Sequence, residues 1–375
     1  MRVNDYLESP NDEILQEDLE FFAKSNIPLD ELRNSTVLIT GATGLIGSQL
    51  VKALRCCNRI CNANIRILAF ARNLEKARAI FENMLQDHKL QLIIGDVTKP
   101  AAVNEDIDYI IHTASITSSK DFVTYPVETI QTVFEGTRNM LELAKEKNVR
   151  GFLCLSSLEV YGVTDPLLVC VSEKDYGYID ILNPRSSYPE GKRIAECLCI
   201  SYKKEYGVPV KIARLTQTFG AGVSYDDSRV FAQFARSVIE RKNIVLHTPG
   251  DTVRSYCYIR DALSALIFIL IKGEKGQAYN VANMDTVISI KDMAEMVSQE
   301  FPEAGIKVVF DIEDIEKLGY NPTVKISLDA AKLQKLGWRA EIGLREMYRR
   351  MIESMKKQKQ QSNGGEINEI RHCHI

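Results

Sequence analysis

The sequence predicts an α/β protein: a doubly wound parallel sheet with a smaller α+β C-terminal lobe. Three observations carry this. Short β-branched and aliphatic runs alternate with apolar-periodic segments from residue 36 to residue 215. The first such run ends in TVLITGATGLIG, where Gly41, Gly44 and Gly47 follow a strand and open a helix. The longest strongly apolar run, residues 262–271, is far short of the roughly 20 residues of a membrane helix and reads as a buried helix.

The glycine stretch is a phosphate site in outline. A strand over 36–40 is expected, then a turn without side chains, then a helix over 45–54. Missing side chains let backbone approach a pyrophosphate, and the N–H groups of the first helical turn point at it. Gly41, Thr43, Gly44, Leu45, Ile46 and Gly47 are therefore the expected contacts of a dinucleotide.

The next strands are expected at 65–70, 91–94, 109–113, 151–155 and 210–215, with a long helix over 126–147. Ligands of such sheets lie beyond the carboxyl ends of the strands. The second strand ends in Ala71-Arg72-Asn73 with no acid until Glu75, so Arg72 leans towards a cofactor with a 2′-phosphate; the alternative is that it stacks or faces solvent. Asp96 and Val97 follow the third strand, Asp96 as an adenine contact or a turn cap. The fourth ends in Thr113-Ala114-Ser115, small residues that let a cofactor pass, preceded by His112, read as structural.

Composition bounds the class. The chain has 375 residues, 45% of them hydrophobic, and a formal net charge of −3. That balance disfavours nucleic acid as the main partner. The nine cysteines have no C-x-x-C pair and read as reduced thiols. The opening residues, MRVNDYLESP, hold no apolar signal-type stretch. A soluble cytoplasmic protein is expected.

The fifth strand opens onto Ser156-Ser157-Leu158-Glu159, which makes Ser157 and Glu159 site candidates. Thirty residues on comes Ser187-Tyr188-Pro189-Glu190-Gly191-Lys192. Tyr188 and Lys192 share one face if a helix starts there, and Pro189 suits its first turn. An ammonium close to a phenol lowers the phenol's pKa from about 10, giving a base for a sugar or alcohol hydroxyl. Beyond 215 the pattern turns irregular, as expected of a substrate lobe. Its cations Arg229, Arg254 and Lys325 are candidates for a diphosphate, or for surface ion pairs.

The division expected is an acidic N-terminal extension over 1–34, a dinucleotide-binding Rossmann domain over 35–215 completed by about 258–285, and a substrate lobe from 216–257 and 286–350. In the extension Ile14, Leu15, Leu19, Phe21 and Phe22 can pack a short helix, which reads as a surface appendage. A helix is expected over 329–336, ending before Trp338. Residues 356–375 are polar and expected to be disordered. There His372-Cys373-His374 lacks the supporting ligands of a metal site, so no metal is expected.

Together, TGATGLIG, Asp96, HTAS, LSSLEVYG, YPEGK, ARLTQTFG, DTVRSYCYIRDA and the late LGW resemble the extended short-chain dehydrogenase/reductase family, specifically its nucleotide-sugar epimerases, dehydratases and decarboxylases. The resemblance spans about residues 37–338. NPRSSYPEGKRIAE, DDSRV and VRSYCYIRD are most similar to UDP-glucuronate decarboxylases. It implies oxidation of the sugar at C4 with NAD, loss of CO2 from the β-keto acid, and re-reduction by the same nicotinamide. It further implies Tyr188 as base, Lys192 as its activator and cofactor contact, Ser157 on O4, Glu159 beside the ring, and Arg254 facing the diphosphate or carboxylate. A homodimer is implied as well. Leu158 stands where decarboxylases have Ser and 4,6-dehydratases Asp, Gln217 replaces a usual Asn among the substrate contacts, and Arg72 follows the position of an Asp in NAD-dependent members.

The leading expectation is UDP-glucuronate decarboxylation. Alternatives are an NADPH-dependent 4-keto-sugar reductase, a 4-epimerase, a 4,6-dehydratase, or a non-catalytic nucleotide sensor. In a reductase Leu158 would favour a C6 methyl.

Overall fold

The computed structural model describes residues 7–312 and 325–372, with side chains as far as residue 360. After helix α1 (Glu13–Lys24), strands β1 (Thr36–Thr40), β2 (Arg66–Ala71), β3 (Leu90–Ile94), β4 (Tyr109–His112), β5 (Gly151–Ser157) and β6 (Val210–Leu215) alternate with helices. These are α2 (Leu45–Cys61), α3 (Leu74–Phe81), α4 (Ser119–Thr124), α5 (Pro126–Glu146) and α6 (Ser187–Tyr206). Later come β7 (Gln217–Phe219), α7 (Val230–Glu240), β8 (Ile244–Leu246), β9 (Val253–Tyr258), α8 (Ile259–Lys272), β10 (Ala278–Val281) and β11 (Asn283–Ser289). The chain closes with α9 (Ile290–Glu300), β12 (Val308–Phe310), β13 (Lys325–Ile326), α10 (Ala331–Gln334) and α11 (Leu344–His372).

Seven parallel strands form the central sheet in the order β10-β6-β5-β4-β1-β2-β3. From β1 the order runs outwards in both directions, so the connections before and after it cover opposite faces: a doubly wound sheet. Val37, Leu38, Ile39 and Thr40 are wholly buried because both faces of β1 carry helices. Helix α8 explains the longest apolar run, since it packs into the core on nearly all sides and Ile259, Ala262, Ala265, Leu266, Ile267 and Ile269 have no exposed surface. A smaller sheet, β11-β9-β13 with β7 paired to β9, and the two-stranded β8–β12 ribbon build the second lobe. Gln49 on α2 ties the two parts together by donating to Ala221 O at 2.7 Å.

Helix α1 is part of the core and not an appendage. Leu15, Leu19, Phe22 and Ala23 are buried, and Asp18, 3% exposed, accepts from Tyr258 and pairs with Arg350 at 3.1 Å and Arg260 at 3.5 Å. Glu8 likewise receives Arg55 at 2.7 Å and Arg59 at 2.9 Å. Phe21 remains half-exposed beneath the Arg260 guanidinium. The C-terminal stretch also differs from expectation, because α11 continues helical to His372. Met355 is buried and Gln358 bonds Tyr225 N and Val223 O, which anchors that part of the helix. The side chains of His372-Cys373-His374 lie outside the described residues. Only Ala331–Gln334 of the expected 329–336 helix forms, and Trp338 is then held by its indole N–H on Asp261 O at 3.0 Å.

Candidate active site

A cleft of about 480 Å³ runs across the carboxyl ends of the central strands. Its walls are the residues just after β1 (Gly41), β2 (Arg72), β3 (Gly95 and Asp96), β4 (Thr113) and β6 (Thr216), together with Ser157 at the end of β5. Gly41 has φ +63°, and a Cβ there would lie 2.8 Å from the Ala114 backbone. A Cβ on Gly47 would meet Gly41 O at 2.3 Å. Both glycines are thus required by backbone lying against backbone. Gly44 caps α2 without a side-chain hydrogen bond, leaving the first-turn N–H groups directed at the cleft. Ser156 Oγ is buried, lines the same space and has no hydrogen-bond partner among the described residues. A narrow backbone-walled cradle with a helix start and an unpaired hydroxyl fits a dinucleotide.

Thr43, Leu45, Ile46, Val97, Ala114 and Ser115 line the cleft with these residues. Asp96 does so while capping its own turn, accepting from Thr98 N and Thr98 Oγ1, both at 2.9 Å. Those bonds, the backbone one foremost, and then Arg72 and Lys99 hold its carboxyl below the usual range. His112 is a packed histidine: its Nδ1 lies 2.8 Å from Thr40 Oγ1, and burial with the nearby Lys192 charge pushes its pKa down to about 3.

The reacting end is built by β5 and α6. Ser157 ends β5 and accepts from Glu159 N at 3.2 Å, which starts a one-turn 3₁₀ segment over Leu158–Tyr161. Side chains step by about 120° per residue in such a turn, so Leu158 and Glu159 diverge. Glu159 lines the cleft. Leu158, 3% exposed, joins Val160, Tyr161, Val171, Ala282, Ile326 and Leu328 in a separate small core. Across the cleft, Asn183 caps a turn by accepting from Arg185 N at 3.0 Å, and Pro184 occupies its first position. Helix α6 starts two residues after Arg185 and presents Tyr188 and Lys192 on one face.

Tyr188 is stacked on Phe122, with ring centroids 4.2 Å apart, and the Ser157 hydroxyl stands close enough to its phenol to affect its ionisation. Lys192 Nζ donates to Leu155 O at 2.8 Å and lies 5.7 Å from the Tyr188 ring centre. The expected lowering of the phenol's pKa by Lys192 is not what the structure gives. Burial, then the Glu159 charge, pushes Tyr188 up, while Ser157 and Arg185 pull it down. Burial also lowers the Lys192 ammonium, which spends its reach on a carbonyl. The charge on Glu159 matters to Tyr188, and Arg185 neutralises it through a fork of 2.8 and 3.0 Å.

The substrate cations fare unevenly. Gln217 and Arg229 line the cleft, Arg229 forked onto Asp227 and lying over the Phe231 ring at 4.7 Å. Arg254 and Lys325 are not among the cleft residues. Arg254 sits on β9 between β11 and β13 with its Nε buried, and Lys325 is exposed at the start of β13. Two residues with no role assigned from sequence, Arg185 and Phe122, stand at the reacting end. Arg185 carried a local signal in its Asn-Pro-Arg cap, whereas Phe122 carried none.

The chain is similar in sequence and in fold to known proteins. UDP-glucuronic acid decarboxylase 6 of Arabidopsis thaliana is 32% identical over 314 residues, covering 84% of this chain and 86% of that protein. UDP-glucuronic acid decarboxylase 1 of Xenopus tropicalis is 30% identical over 332 residues, 88% of this chain and 74% of that protein. Among solved structures, a Bacillus cereus UDP-glucuronic acid 4-epimerase in complex with UDP-glucuronic acid and NAD superposes with a TM-score of 0.69 at 21% identity, covering 86% of this chain and 99% of that one. The dTDP-glucose 4,6-dehydratase DesIV of Streptomyces venezuelae, with NAD and TYD bound, gives 0.72 at 19%, covering 86% and 97%. At those identities the structures speak for the fold. Residues 37–282 match the family described as NAD dependent epimerase/dehydratase, and this chain belongs to that family.

Proposed function

We propose that this protein converts UDP-glucuronate to UDP-xylose and CO2, with NAD held in the cleft over the sheet. The observation that carries the reading is the convergence of Ser157, Glu159, Tyr188 and Lys192 at one end of a dinucleotide cradle. The 30–32% identity to UDP-glucuronic acid decarboxylases over most of the chain selects this reaction within the family. Bound NAD supplies the hydride acceptor for C4 and the donor that restores it. The chain's own groups handle protons and charge. Tyr188 takes the C4 hydroxyl proton as its phenolate, a form that burial disfavours and that the positive charge of the oxidised cofactor would favour, and Ser157 hydrogen-bonds O4. Lys192 fixes the floor beneath them through Leu155 O. Once C4 is a ketone, the C5–carboxyl bond breaks, its electron pair enters the enolate, and CO2 leaves; C5 then takes a proton. Gln217 and Arg229 face the nucleotide diphosphate, and the cleft's small residues, Thr113 to Ser115, leave room for the cofactor.

The test is incubation of the NAD-loaded protein with carboxyl-labelled UDP-glucuronate. Labelled CO2 and UDP-pentose without net use of cofactor are expected. Stoichiometric loss of NADPH with a keto sugar and no CO2 would make the protein a reductase instead.

A homodimer through α5 and α6 belongs to the same reading. Val127, Ile130, Ile194 and Ile200 expose apolar side chains on those two helices. A cytoplasmic setting is supported by the eight cysteines among the described residues, all of them unpaired. No helix among the described residues is long and apolar enough to cross a membrane.

A further inference from the structure

Behind Glu159, at the sugar end of the cleft, stands a cation that no substrate role has yet claimed. Arg185, Arg254 and Lys325 are all absent from the cleft lining and Arg229 is engaged with Asp227, but Arg185 is bonded to a residue that does line it. The two terminal nitrogens of Arg185 sit 2.8 and 3.0 Å from the two carboxylate oxygens of Glu159, with side chains only 14% and 15% exposed. The same guanidinium lies 5.3 Å from the centre of the Phe122 ring, which in turn stacks on Tyr188. Glu159, Phe122 and Tyr188 all line the cleft. A fork shaped for a carboxylate therefore stands beside the base, closed by a carboxylate of the chain itself.

We propose that Arg185 is the receptor for the substrate's carboxylate, and that Glu159 is its place-holder. A hexuronate group on a nucleoside-diphosphate sugar takes the fork that Glu159 occupies. This deepens the UDP-glucuronate reading and rests on it. A planar guanidinium binds either carboxylate with the same two parallel bonds, so the exchange replaces like with like. Breaking a pair this secluded strands the displaced carboxylate, so the fork opens only to a ligand that brings a carboxylate of its own while Glu159 turns into the cleft. A neutral hexose offers nothing to exchange and leaves the fork closed. Discrimination thus comes from a carboxylate that must be displaced as well as from the cation that attracts. Arg185 acts here on binding and specificity and takes no proton in the reaction.

The experiment measures binding of UDP-glucuronate and of UDP-xylose, its counterpart without the carboxylate, to NAD-loaded protein by calorimetry. Arg185→Gln should weaken UDP-glucuronate by about 10- to 100-fold and leave UDP-xylose within about twofold. Glu159→Gln should do the opposite and tighten UDP-glucuronate by about tenfold, again sparing UDP-xylose. Arg185→Lys, which keeps the charge and loses the fork, should fall between wild type and Arg185→Gln. Equal weakening of both ligands by Arg185→Gln would reduce Arg185 to a structural role. Weaker UDP-glucuronate binding in Glu159→Gln would make Glu159 a direct sugar contact, and would overturn the exchange even if Arg185→Gln did not fold. A wild type that neither prefers UDP-glucuronate nor releases CO2 from it would overturn the functional reading itself. A wild type that decarboxylates while its variants fail to separate the two ligands would overturn only the assignment to Arg185.

Discussion

Leu158 and Glu159 are neighbours in the chain and opposites in space: Glu159 faces the cleft, and Leu158 is buried against Val171, Ile326 and Leu328. The residue that stands where the decarboxylases have a serine is a core residue in this protein. Leu158→Ser should therefore lower stability by about 2–4 kcal/mol through lost burial and a buried hydroxyl, read by denaturant unfolding. CO2 release per folded molecule should stay at the parent level. A rise in decarboxylation would return position 158 to the site.

Tyr188→Phe should keep the Phe122 stack and remove only the phenol hydroxyl near Ser157. Turnover should fall by about 10²–10⁴-fold while the melting temperature and nucleotide affinity hold. Activity within a few-fold of the parent would take Tyr188 out of the mechanism.

Arg72 is exposed, lines the cleft and adds its charge to the field on Asp96. Arg72→Asp should weaken NADP relative to NAD by on the order of 1.5–3 kcal/mol. Titrating both cofactors against both proteins reads this. An unchanged ratio would place Arg72 outside the ribose pocket.

His112 gives a pH signature. Its pKa in the fold is about 3, against an ordinary value of 6.5, so the folded protein keeps it neutral where the unfolded chain takes up a proton. Stability from this group is full above pH 6.5 and is lost as pH falls towards 3, on the order of a few kcal/mol at the acid end. His112→Gln, which can still reach Thr40, should flatten unfolding free energy across that window. An unaltered slope would mean that other groups govern the acid limb.

What the sequence disclosed was local. Strands β1 and β6 fall on the expected residues because parallel strands buried on both faces read as continuous apolar runs. Gly41, Gly47, Tyr188 and Lys192 were legible because a glycine turn and an i,i+4 pair are defined within a few residues. Where Arg254 and Lys325 stand depends instead on the register of β9 against β11 and β13, which residues far apart in the chain set. Leu158 turned on the pitch of a single 3₁₀ turn. Helix α1 showed its apolar face in the sequence but not its partners, since Tyr258 and Arg350 come hundreds of residues later.

Those partners bear on how the chain is made. Ser354 Oγ donates to Asp12 at 2.5 Å, and Arg350 reaches Ile14 O and Asp18, so the first helix is clasped by the last. On a ribosome α1 emerges first, and its buried Asp18 has only the more distant Arg260 to meet until Arg350 has left the exit tunnel. The Gly41 cradle can form around β1 to β6 well before that, since its partners are synthesised together. Closure of α1 against α11 is then the last event of folding and depends on the whole chain being present. A nascent chain arrested before residue 350 should resist protease across 36–215 and be cut within 13–24.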